Sequence, residues 1–123
     1  IGVYEFDAPC FLQALRDANV TQLIDVRQRR GVRGPSYAWA NARRLQALLN
    51  DAHISYRHLR SLAPTTELRH LQYAADARAG VGKRSRHALD AAYIDRYRRE
   101  ILDASSLLDL IEGLPSTGRA ALL

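Results

Sequence analysis

Two short runs in this chain set chemistry-bearing side chains at alternating positions: Asp25-Val26-Arg27 and Tyr56-Arg57-His58. Side chains alternate along a strand, so Asp25 and Arg27 share one side, and Tyr56 and His58 share one face. Behind the first run lies a loop, 28–37, that carries Arg29, Arg30 and Arg33 among Gly31 and Gly34. Glycine lets backbone approach a ligand closely. The guanidinium offers a planar fork of donors that matches carboxylate or phosphate. Together these residues suit the binding of a small anion, phosphate- or nucleotide-like. Arg27 and Arg33 would hold it, Asp25 would orient Arg27, and Tyr37 and Tyr56 would wall the pocket. No catalytic residue is assigned, and His58 is the candidate proton carrier.

Each of these residues also has a structural reading. An Asp25–Arg27 pair that only fixes the loop accounts for both residues. Solvated Arg29 and Arg30, a Tyr56 in the core and a satisfied structural His58 account for the others.

The elements that must position these groups follow from periodicity. An apolar and aromatic run over 1–6 predicts a first strand. Asp7 caps the following helix, with Pro9 in its first turn. Phe11, Ala14, Leu15 and Ala18 recur at helical spacing, and Asn19 stops the helix. The run over 21–26 is β-rich and mostly apolar through Leu23-Ile24-Asp25-Val26, and it reads as a strand buried on both faces, as in a parallel sheet. A helix over 38–52 carries Leu45, Leu48, Leu49 and Ala52 on one stripe. A strand over 53–59 follows.

Next comes a helix over 66–79, with Thr66 as its cap and Leu68, Leu71 and Ala75 inward. Helices over 88–101 and 105–112 precede a last strand over 119–123. This alternation predicts an α/β fold: a single Rossmann-like domain over 1–123, with a mainly parallel sheet of about four strands flanked by helices. In such a sheet ligands bind outside the carboxyl ends of the strands. Asp25 to Arg27 and Tyr56 to His58 occupy two such ends.

The formal charge of +5 favours anionic partners. Seventeen of the 18 Lys and Arg residues are Arg, with Lys83 the exception, and alanines abound. Codon composition is therefore an equal explanation of the charge. The alternative function is a nucleic-acid-binding module on an arginine-rich surface that includes Arg43, Arg44, Arg96, Arg98 and Arg99. A third reading is a structural or interaction domain. The basic turn from Lys83 to His87 reads as solvated. No Walker loop, dinucleotide fingerprint, nucleophile elbow or zinc-ligand spacing is present, and His70 and His87 stand isolated. No cofactor and no metal are expected. The single Cys10 reads as a small buried residue and fits a reducing cytoplasm. No apolar run is long enough for a membrane span. The start, Ile1-Gly2-Val3-Tyr4, lacks the marks of a signal peptide, so a cytoplasmic setting is expected. Nothing in the sequence sets an oligomeric state or says whether the domain is an enzyme.

Taken in order, these motifs resemble the family known as domain of unknown function 488. The carriers are Ile1-Gly2, Phe11-Leu12, Leu23-Ile24-Asp25-Val26-Arg27, then Arg33 and Tyr37 in the loop. Ile54, Tyr56, His58 and Leu59 match its Ile-x-Tyr-x-His-Leu strand, and Leu62-Ala63-Pro64-Thr65-Thr66-Glu67-Leu68 is similar to a run in one branch. The resemblance covers nearly the whole chain. Val32 stands where a serine is usual, and a loop proline is replaced near Arg30. The resemblance implies a Cys-containing segment and a Cys-His-Arg element after the final strand. The chain as given is expected to stop before them, with part of the site.

Overall fold

The computed structural model describes residues 1–31, 34–82 and 85–123, with Leu107 described by its backbone alone. Arg33, Lys83 and Arg84 thus lie outside the described residues. The fold is α/β, a small parallel sheet flanked by helices in a Rossmann-like arrangement. The chain divides into two compact units, one formed by 1–60 with 108–123 and the other by 61–107.

The first unit opens with helix α1, Ala8–Asp17. Asp7 caps it as expected, its carboxylate accepting the Cys10 N–H at 2.8 Å. Phe11 and Leu15, four residues apart, turn to one side and are fully buried. Asn19 ends the helix in a left-handed conformation, φ 53°. Strand β1, Val20–Asp25, follows at once. A short 3-10 turn, Pro35–Ala40, leads through the extended Asn41 into α2, Ala42–Asp51. That extended residue is why the helix begins four residues later than its apolar pattern suggests. Strand β2 is Ser55–His58 and strand β3 Arg119–Leu122.

The strand order is β2-β1-β3, with both pairings parallel. Leu23 lies in register with Tyr56 and Ala121, which places the three on one face. On that face Leu23 packs with Phe11 and Leu15 of α1 and with Leu45 and Leu49 of α2. The opposite face carries Arg57, whose guanidinium donates to the Asp109 carbonyl at 3.2 Å in α5, Leu107–Glu112. Gly118 makes the turn into β3 at φ 78°, and a Cβ there would lie 2.4 Å from the Thr21 Cγ2. Only glycine fits both the conformation and the space.

The expected first strand does not form. Glu5 takes φ 72°, and the Phe6 N–H turns back to the Val3 carbonyl at 3.4 Å. Val3 is buried but Ile1 and Tyr4 are exposed, so the apolar run does not line a sheet edge. The described sheet therefore has three strands rather than about four. Cys10 is a second correction. It lies one residue from the buried Phe11, about 100° round the helix, and is exposed. The neighbouring Asp7 carboxylate pushes its thiol above the ordinary value, which disfavours the reactive thiolate.

The second unit is helical. Helix α3, Thr66–Arg78, is capped by Thr65 and not by Thr66, with the Leu68 N–H donating to the Thr65 hydroxyl at 3.2 Å. Its buried stripe is Leu68, Gln72 and Asp76, whereas Leu71 and Ala75 are only half-buried. Asp90 caps α4, Ala91–Tyr97, which continues as a π-type turn, Arg98–Leu102. The Tyr97 hydroxyl donates to the Leu62 carbonyl at 2.7 Å. Among the described residues, the buried apolar residues of this unit are Ala63, Leu68 and Ile101.

Trp39, the single tryptophan, lies 5.0 Å from Phe11 between ring centroids and reports on the first unit. Leu23→Ala is expected to lower stability by about 2–5 kcal/mol in urea unfolding followed at Trp39. Leu108→Ala, at a residue 70% exposed, is expected to change it by less than about 0.5 kcal/mol.

Candidate functional site

The carboxyl end of the central strand is where the polar groups of the first unit converge. Asp25 is fully buried there, although it is a carboxylate. Burial alone would expel such a charge. Four hydrogen bonds hold it. Arg27 gives Oδ1 its backbone N–H at 3.0 Å and its Nε–H at 2.9 Å, and gives Oδ2 an Nη2–H at 2.7 Å. The Tyr56 hydroxyl donates to Oδ2 at 2.6 Å. Burial pushes the Asp25 carboxyl up, but these bonds and the Arg27 charge outweigh it and hold the group below the ordinary Asp value.

The arginine is fixed in turn. Its Nη1 donates to the Ala40 carbonyl at 3.1 Å, tying the end of β1 to the 3-10 turn. Three of its five N–H groups thus meet described partners. Arg27 is mainly buried, with 18% of its side chain exposed. Tyr56 is a relay between charges. It donates to Asp25, and it accepts from Arg30 Nη1 at 3.4 Å. Burial raises its phenol above the ordinary value, and the Asp25 carboxylate adds to that against the opposing pull of Arg30. His58 Nε2 lies 3.1 Å from the Arg27 carbonyl oxygen. A carbonyl only accepts, so Nε2 carries the proton and Nδ1 is the basic atom of the neutral ring.

Three of the five expected binding residues therefore meet in one network: Asp25, Arg27 and Tyr56. Tyr37 does not join it through any described contact. Its hydroxyl accepts the Glu5 N–H at 3.4 Å, and its ring stands edge-on to Tyr4 at 5.3 Å. Arg33 lies outside the described residues. Arg30 is the residue that sequence reasoning undervalued, because a loop has no periodicity to tell an inward arginine from a solvated one. It is half-buried, while its neighbour Arg29 is exposed.

This architecture is accompanied by a match over 116 of the 123 residues, from 8 to 123, to the family model described as domain of unknown function DUF488. The chain belongs to this family. No curated protein and no solved structure matches it. Among the described residues, this DUF488 chain has no group of three or more His, Cys, Asp and Glu placed to hold a metal, and no helix long and apolar enough to cross a membrane.

Asp25→Asn keeps the shape of the side chain but removes the charge that Arg27 answers. It is expected to lower the stability of the first unit by about 3 kcal/mol. The sign of the pH effect follows from the lowered carboxyl. Asp25 contributes its full stabilisation above the unfolded Asp value of about 3.9 and loses it as pH falls through the lower folded value. The acid-side fall in urea midpoint is expected to be shallower in Asp25→Asn than in the parent chain.

Proposed function

We propose that the loop after β1 binds a small anion, of phosphate or nucleotide-phosphate type, at the carboxyl ends of β1 and β2. The observation that carries this reading is the position of Arg30. Its guanidinium reaches the hydroxyl that already serves the buried Asp25–Arg27 pair, and no carboxylate among the described residues neutralises it. Three arginines, Arg27, Arg29 and Arg30, follow a single buried carboxylate, and Arg33 adds a fourth in sequence. Guanidinium groups gathered at one strand end repel each other unless an anion lies among them. The carboxyl edge of a parallel sheet is where a crevice receives such ligands.

In this scheme Asp25 is a positioning residue that aims Arg27. Arg27 donates through its two remaining N–H groups, beside Arg30 and Arg33. Tyr56 orients Arg30, and Tyr37 and Tyr56 serve as walls. If chemistry follows binding, the Nδ1 of His58 is the proton carrier. The lone cysteine fits a reducing, cytoplasmic setting for this role.

Calorimetric titration with inorganic phosphate and with adenosine monophosphate tests the proposal. Arg30→Ala and Arg33→Ala are each expected to weaken binding about tenfold, whereas Arg43→Ala and Arg99→Ala leave it unchanged. A short DNA duplex tests the surface alternative, because binding that neutralises several phosphates falls steeply with salt. Weak duplex binding that disappears at physiological salt is expected. Tight duplex binding that Arg43→Ala or Arg99→Ala weakens as much as Arg33→Ala would replace the pocket with a nucleic-acid surface.

A further inference from the structure

Helix α4 and the π-type turn that continues it have two unlike faces. Tyr93, Tyr97 and Ile101, four residues apart, belong to the packed one. The Tyr93 and Tyr97 rings stack at 6.1 Å, the Tyr97 hydroxyl donates to the Leu62 carbonyl, and Ile101 is buried. Asp95, Arg98, Arg99, Leu102 and Asp103 recur at the i, i+3, i+4, i+7, i+8 spacing of a single helix face, the other one. All five are exposed, and together they line a groove of about 770 Å³. The Asp103 N–H reaches back five residues to the Arg98 carbonyl at 2.9 Å, the wider winding of a π-type turn.

The charges of this groove are not used up within the chain. The described ion pairs of the helix join Arg96 to Glu100 at 2.6 Å and to Glu67 at 3.9 Å. Among the described residues, no ion pair includes Asp95, Arg98, Arg99 or Asp103. Arg99 adds to the positive field at Glu100, but both oxygens of that carboxylate already accept from Arg96. Along the groove the signs run acid, base, base, acid, with Leu102 beside the second acid.

We propose that this groove is the contact face of a homodimer, in which α4 of one copy lies antiparallel to α4 of a second. All of the lining comes from one helix, so the groove has no opposite wall and cannot enclose a small molecule as ligand pockets do. A polyanion is disfavoured because two carboxylates flank the arginines. The partner that fits carries the same signs in reverse order, and a second copy turned end to end does so. Two-fold symmetry makes every contact reciprocal. With the axis level with Ile101, midway between Arg99 and Asp103, Arg99 of each copy lies opposite Asp103 of the other. Leu102 of one copy then meets Leu102 of the other beside the axis. Arg98 strengthens the attraction to the facing Asp103, and Asp95 offsets its charge at the rim. A contact built on one helix is small and polar, so the dimer is weak and sensitive to salt.

The test is sedimentation equilibrium of the full chain at low and high salt. A reversible dimer is expected, with a dissociation constant that rises about tenfold or more at high salt. Two double variants carry the decision. The chain with Asp95→Arg and Asp103→Arg, and the chain with Arg98→Asp and Arg99→Asp, are each expected to be monomeric where the parent is dimeric. An equimolar mixture of the two is expected to restore the dimer. All four positions are exposed, and unchanged circular dichroism shows that the variants keep the fold. Arg30→Ala is expected to dimerise as the parent does, which separates this contact from the strand-end site. A parent chain that stays monomeric at its highest soluble concentration in low salt overturns the proposal. So does a dimer that both double variants leave intact, or a mixture that stays monomeric. A monomer whose binding to a DNA duplex is lost with Arg98→Asp and Arg99→Asp would make the groove a nucleic-acid surface instead.

Discussion

The interaction on which the first unit depends is the buried contact between the Asp25 carboxylate and the Arg27 guanidinium. A carboxylate with no solvent contact survives only if its lone pairs are met by donors, and Asp25 has four of them. Each donor comes with an attachment. The Arg27 backbone turns the chain immediately after β1. The Arg27 side chain reaches the turn at Ala40, and Tyr56 brings in the neighbouring strand. One charge therefore fixes the end of β1, the start of the following loop and the lateral position of β2. Removing it would leave a cation mainly buried without an ionic partner, which is costlier than losing a surface pair.

The sheet explains why so polar a knot can form in so small a unit. β1 is the central strand, and Leu23, Ile24 and Asp25 are all buried. Backbone groups there are satisfied along the ladder, and past its end by the Leu59 N–H on the Asp25 carbonyl and the Val26 N–H on the Leu123 carbonyl, each at 2.9 Å. With the backbone satisfied, the side chains beyond the last apolar layer are left to bond each other. The apolar layer of Phe11, Leu15, Leu23, Leu45 and Leu49 supplies the stabilisation against which the desolvation of Asp25 is offset.

The same physical device recurs in the second unit with different residues. Asp76 is buried, its oxygens are shared between an amide and Arg86, and the network joins α3 to the cap of α4. In both units a buried aspartate pairs with one arginine, and a nearby arginine acts on a tyrosine phenol, Arg30 on Tyr56 in the first unit and Arg86 and Arg69 on Tyr93 in the second. A guanidinium held this way loses little conformational freedom when it meets an anion, and such preorganisation favours binding.

Local pattern was enough to determine much of this. The mostly apolar run over 21–26 read as a strand buried on both faces, and Leu23, Ile24 and Asp25 are buried in β1; the four-residue spacing of Phe11 and Leu15 and of Leu45 and Leu49 set the packed faces of α1 and α2. Asp7 before a proline-containing first turn set a helix start. Alternation of strands and helices fixed a parallel sheet, and the ordered motifs from Ile1 to Leu68 pointed to the family. Tertiary structure decided the rest, because periodicity reports how often a side chain is buried and not what it meets. It turned the 1–6 run back on itself instead of into the sheet. It buried Gln72 and Asp76 in the stripe where Leu71 and Ala75 were expected. It sent Tyr37 to Tyr4 and Glu5, and it brought Arg30 to Tyr56. Each of these choices pairs groups distant in sequence or placed in a loop. The free energy comes from a hydrogen-bond partner or a ring contact that only the folded chain brings within reach.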